Sequence, residues 1–171
     1  MNIFFLHSDP TVAASMYCDQ HINKIQLEIC QMISTAFHAQ NKTPAGIYKS
    51  AFLNHPTSVW VRESKGNLYW TLEHLSALRD IWVEAGFYGA CASKTIDVFT
   101  ANISLLRFDV QRMTSVRLAM PAHIKNKYGS VCSMDNAVLA YREYYKEKEF
   151  KYPAPKDKPL YTINPTPDWW S

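Results

Sequence analysis

The stretch Asp19-Gln-His-Ile-Asn-Lys-Ile-Gln-Leu-Glu-Ile-Cys-Gln-Met-Ile33 reads as a helix, because its apolar residues recur every three or four positions. At about 100° per residue, His21, Lys24, Glu28, Gln31 and Thr35 fall within roughly 80° of one another. Ile22, Ile25, Ile29, Met32, Ile33 and Ala36 fill the adjoining arc, so the polar stripe borders the buried face. A carboxylate, an imidazole and an amine at the edge of a core are candidates for displaced pKa values and hence for catalysis. The same pattern also fits a solvated flank, where a Lys24–Glu28 pair four apart contributes only about 0.2–0.5 kcal/mol.

Outward from this helix, Asn2–Leu6 reads as a short strand or extended start. Asp9 before Pro10 is a helix-start signal, predicting a short helix at about 10–17. The long helix runs from Asp19 to about Gln40. Pro44, Gly46 and Pro56 mark the stretch 41–56 as a long loop, and loops of that length are often functional. A second long helix is expected from Thr57 or Ser58 to about Ala85, with Gly86 as its stop. Val61, Leu68, Leu72, Leu75 and Trp82 line one of its faces, and Trp60, Glu63, Asn67, Trp70, Thr71 and His74 another. Gly66 weakens its middle by about 1 kcal/mol relative to alanine. Further helices fit at about 93–106 and 134–149, with 107–133 ambiguous. Five prolines make the tail, 151–171, irregular, and Trp169 and Trp170 suggest that it is pinned to the body. The expectation is one mainly α domain, a helical bundle spanning 1–171.

At 171 residues and 47% hydrophobic, the chain is long enough for one domain with a substantial core. The run Ile3–Leu6 is too short for a signal peptide, and no segment approaches the roughly 20 apolar residues of a membrane span. Cys18, Cys30, Cys91 and Cys132 are scattered with no C-x-x-C pair, which points to reduced thiols and a cytoplasmic location. The net charge of +3 is unevenly spread: residues 112–158 hold ten Lys/Arg against five Asp/Glu. Interleaved with Tyr141, Tyr144, Tyr145, Tyr152 and Tyr161, this basic third suits a phosphate backbone and stacked bases. Arg142-Glu-Tyr-Tyr-Lys-Glu-Lys-Glu149 also alternates in sign, as ordinary wet helices do.

Cys18-Asp-Gln-His-Ile-Asn-Lys-Ile-Gln-Leu-Glu28 resembles the phage endonuclease V type of pyrimidine-dimer DNA glycosylase/AP lyase, with the family's spacing of the Asp19-Gln20-His21 triplet and Glu28. Asn54-His-Pro56 leading into an aromatic helix and Tyr141-Arg-Glu-Tyr-Tyr145 extend the resemblance more loosely. The chain is also similar to a set of uncharacterised bacteriophage proteins that open with a similar strand and Asp-x-His helix. The resemblance implies DNA as partner and attack by the chain's own α-amine on C1′ of a damaged nucleotide, assisted by Glu28. That amine belongs to Met1, or to Asn2 once Met1 is removed; the size of Asn2 predicts that Met1 stays. An α-amine, with a pKa near 7.7–8.0, is free base at neutral pH far more often than a lysine near 10.4. The family's arginines beside the glutamate are Leu27 and Gln31 here, predicting weaker phosphate clamping. About five extra residues ahead of Asp19 are expected to displace the amine from Glu28. Lys24, one turn from Glu28, is an alternative imine-forming amine, and His21 would orient Glu28 or contact a phosphate.

His55 precedes Pro56, where the chain is extended, so its ring would point from a loop into a cleft or cap a helix. With Arg62 and Asn67 it is expected to line the pocket. Trp60, Trp70, Tyr144 and Tyr145 are candidate stacking platforms, though tryptophans at helical spacing also suit a core. Asp19, His21, Glu28 and His55 match no strong metal-ligand spacing, so no metal or other cofactor is expected. Two alternatives remain: a nucleotide- or small-molecule-modifying enzyme on this scaffold, and a non-enzymatic phage accessory protein binding a host partner through the tyrosine-rich third.

Overall fold

Helix starts in this chain follow from local capping chemistry. Asp9 Oδ1 accepts hydrogen bonds from the N–H groups of Thr11 and Val12, each at 2.9 Å, and Pro10 takes the first helical position. Helix α1 therefore spans Pro10–Ala14. Helix α2 is the long element, Asp19–Ala39. The computed structural model describes residues 2–148 and 159–170.

The single helix expected over 57–85 is two helices, α3 (Pro56–Glu63) and α4 (Lys65–Glu84). Ser64, in extended conformation, breaks the chain and caps α4 by accepting from Asn67 N–H at 3.0 Å. Gly66 belongs to this corner. A Cβ there would lie 2.4 Å from the backbone nitrogen of Met113, so the crossing segment 112–113 requires glycine. The helix expected at 93–106 is likewise divided: a 3-10 turn at Cys91–Lys94, helix α5 at Ile96–Asn102, and a second 3-10 turn at Ile103–Leu105.

The ambiguous stretch 107–133 holds a two-residue strand β1 (Val116–Arg117), helix α6 (Ala122–Tyr128) and strand β2 (Val131–Cys132). The strands pair antiparallel, with Val116 opposite Cys132. Helix α7, Met134–Glu147, starts at Ser133, whose hydroxyl accepts from Asn136 N–H. The protein is mainly α, and among the described residues no helix is long and apolar enough to cross a membrane.

Residues 2–6 form the extended start, but they join no sheet. Ile3, Phe4, Phe5 and Leu6 are all buried, so both sides of this segment face the core. Buried backbone of this kind needs side-chain partners. Tyr17 OH accepts from Phe4 N–H and donates to Phe4 O, and Arg142 Nε donates to Leu6 O. The segment is thereby threaded between α2 and α7, which sets the depth of the site described next.

The tail is pinned, as Trp169 and Trp170 suggest. Asp19 carboxylate oxygens accept from Thr162 N–H and Oγ1 and from Ile163 N–H. Gln20 Oε1 accepts from Leu160 N–H, and both terminal indoles pack edge-on against Tyr145. Residues 151–158 of the expected irregular tail lie outside the described residues.

Candidate functional site

The N-terminal half of the α2 stripe opens on a cavity. Asn2, Phe4, His21, Lys24, Ile25, Glu28, His55, Ala119, Tyr144 and Lys148 line it, enclosing about 240 Å³. The C-terminal half is covered: Thr35 is buried, and its Oγ1 accepts from Ala51 N–H at 3.0 Å. A stripe with uniform helical periodicity thus has two fates, decided by where the 40–55 loop lies across α2.

Glu28 meets the N-terminal segment directly. Asn2 N–H donates to Glu28 Oε2 at 2.6 Å, despite the extra residues ahead of Asp19. The Asn2 side chain is held on three sides. Its Oδ1 accepts from Tyr141 OH at 3.1 Å and Thr57 Oγ1 at 3.2 Å, and its Nδ2 donates to Ala119 O at 2.8 Å. The nitrogen beside Glu28 is therefore fixed by α3, α7 and the segment before α6. Met1 lies outside the described residues.

His21 sits at the base of the cavity, 4% exposed, with its ring stacked on Phe4 at 4.9 Å between centroids. Its Nδ1 is 2.8 Å from Tyr145 OH. Burial, then the ammonium groups of Lys148 and Lys24, push the His21 pKa down to about 3, so this imidazole is neutral at physiological pH. Burial also lowers the His55 pKa. His55 caps α3, its Nδ1 accepting from Thr57 N–H at 3.3 Å, while its ring borders the cavity. Lys148 Nζ lies 5.8 Å above the Phe4 ring and 5.7 Å from that of Tyr144, within cation–π range. Two lysines against one carboxylate, with the imidazoles uncharged, leave the cavity favourable to an anion.

Of the residues singled out in the sequence, Glu28, Lys24, His21, His55 and Tyr144 meet at this cavity. The other described candidates for catalysis or substrate binding do not line it. Asp19 is engaged with the tail at Thr162 and Ile163. Tyr145 lies behind His21, fully buried, accepting from Cys18 N–H. Trp60 and Trp70 are core residues, each packed on Phe5 at 4.9 Å, and their burial leaves no face for a base. Asn67 is buried too, donating to Trp60 O and Thr114 Oγ1 and accepting from Thr114 N–H. Arg62 donates to Leu53 O at 2.6 Å and supports the loop.

Sequence reasoning passed over Phe4, Ala119 and Lys148. Lys148 had a legible signal: it stands four residues after Tyr144, just past the C-terminus of α7. Ala119 contributes by backbone position alone and carries no such mark. Among the described residues, no group of three His, Cys, Asp or Glu side chains is arranged to hold a metal ion. Comparisons of the chain with protein-family models, curated proteins and solved structures give no match.

Proposed function

We propose that this protein is a DNA glycosylase/AP lyase-like enzyme acting on a damaged or modified base, with Glu28 as its acid–base group. The observation that carries the reading is the 2.6 Å contact between the Asn2 nitrogen and Glu28 Oε2 at the wall of an anion-favouring cavity. When Met1 is removed, that nitrogen is the chain's α-amine; with Met1 retained, the α-amine is one residue upstream, and Lys24, one helical turn from Glu28, is the alternative nucleophile among the two lysines at the cavity. The free amine adds to C1′ of the target nucleotide as the C1′–base bond breaks and the base departs with a proton. The C1′–O4′ bond then opens with a proton to O4′, leaving an iminium; this loses a 2′ proton as the C3′–O bond breaks and the phosphate departs. Glu28 takes the proton released by the attacking nitrogen and stabilises positive charge at C1′.

The cavity volume bears on substrate class. About 240 Å³ is below the roughly 300–1,000 Å³ usual for enclosed small-molecule sites. A site of that size takes a small ligand or one part of a larger one. A nucleotide in duplex DNA must be flipped out to enter it.

Borohydride trapping on abasic-site DNA tests the mechanism. The wild-type chain should give a covalent adduct, and mass mapping of the trapped peptide identifies the α-amine or Lys24. Glu28→Gln should lower the trapping rate at least about 100-fold, the order expected for loss of a positioned acid–base group. Absence of any adduct from the wild type overturns the imine mechanism.

A further inference from the structure

The long loop beside the cavity carries an apolar tip. Phe52 and Leu53 are 66% and 47% exposed, adjacent large apolar residues at a loop tip. Phe52 also has φ +50°, a left-handed conformation that bulky side chains adopt only when the surroundings impose it. The imposing contacts are clear. Ala51 N–H donates to Thr35 of α2, Leu53 O accepts from Arg62 of α3 at 2.6 Å, and His55 N–H donates to Phe52 O at 3.0 Å. Further back, Tyr48 N–H donates to Ser34 Oγ, and Tyr48 O lies 2.9 Å from His38 Nε2. The loop holds both side chains outward.

We propose that Phe52 and Leu53 form a rigid apolar wedge that enters duplex DNA at the base step beside the nucleotide taken into the cavity. The inference rests on the proposed reading of the Glu28 cavity. Phe52 is three residues from the cavity residue His55, at most about 11 Å of chain, and the His55–Phe52 hydrogen bond folds that span into a turn. Lys49 is exposed in the same loop, and Lys24 and Lys148 line the cavity, so cations are available for phosphates in both regions. Insertion of apolar side chains unstacks a base step and opens the duplex, which is the requirement for delivering a nucleotide to a shallow site. The turn and its hydrogen bonds hold the tip in place before DNA arrives, so little ordering is needed on binding.

The test compares one abasic site in duplex DNA and in the same single strand, with 2-aminopurine beside it. The double variant Phe52→Ala/Leu53→Ala should lower the duplex-to-single-strand ratio of trapping rates at least tenfold. It should also lose the rise in 2-aminopurine emission that wild type produces on binding the duplex. Phe52→Gly provides a control for folding: glycine accepts φ +50° without strain, so its Tm should not fall while the duplex ratio does. An unchanged ratio and unchanged emission overturn the wedge while leaving the Glu28 site standing. Failure of wild type to trap either substrate overturns the site and the wedge together.

Discussion

His21 and His74 are held neutral chiefly by burial, their pKa values pushed down to about 3 and about 4. His74 is fully buried, its Nδ1 2.8 Å from Pro10 O and its Nε2 3.1 Å from Tyr17 OH. In the unfolded chain each would take up a proton near pH 6.5. Below that pH the unfolded state binds more protons than the folded one, so stability is fully present above about pH 6.5. It is lost as pH falls toward 4 for His74 and 3 for His21, at up to about 1.4 kcal/mol per pH unit for each. Urea unfolding at about pH 7.5, 6 and 4.5 should show this decline, and the imidazole resonances of both residues should not titrate between pH 8 and 5. Titration of the His21 resonance near pH 6.5 in the folded protein would contradict its neutral, stacked placement. At the cavity the same neutrality makes His21 an uncharged wall residue, hydrogen-bonded to Tyr145 OH behind it.

At the scale of an element, the α3–α4 corner shows packing overriding propensity. Helix propensity alone makes Gly66→Ala stabilising by about 1 kcal/mol. The added Cβ would, however, stand 2.4 Å from Met113 N and 2.7 Å from Arg112 C, both backbone atoms that cannot rotate away. Overpacking of this kind costs about 1–3 kcal/mol or more, so the net effect should be destabilisation, read as a lower urea midpoint. A raised midpoint would mean that the 112–113 crossing yields easily. The corner matters to the site indirectly. Asn67, one residue on, ties Thr114 to Trp60, and α3 carries both His55 at its cap and Thr57, which holds Asn2.

Across the whole molecule, the tail closes the back of the site: Asp19 anchors 162–163, and Trp169 and Trp170 cover Tyr145, which contacts His21. Asp19→Ala should cost about 1–3 kcal/mol through the unpaired N–H groups it leaves, red-shift tryptophan emission and speed proteolysis near residue 160. An unchanged emission spectrum would show the tail held by its indoles alone. Much of this architecture was legible in local pattern: the Asp9–Pro10 start, the Asp19–Ala39 helix, the Ser133 cap and the anchored Trp169–Trp170 all rest on interactions within a few residues or on plain burial. The polar stripe His21, Lys24 and Glu28 was legible too, because it depends only on helical period. What only the tertiary structure decided was which polar residues meet. Periodicity puts Trp60, Asn67 and Trp70 on one face of a single helix, yet they stand on two helices, α3 and α4, and are core, because 2–6 and 112–114 pack against them. Asn2 reaches Glu28 across 26 residues and Tyr141 across 139. Contacts of such separation follow from how the helices stack, and no local periodicity encodes them.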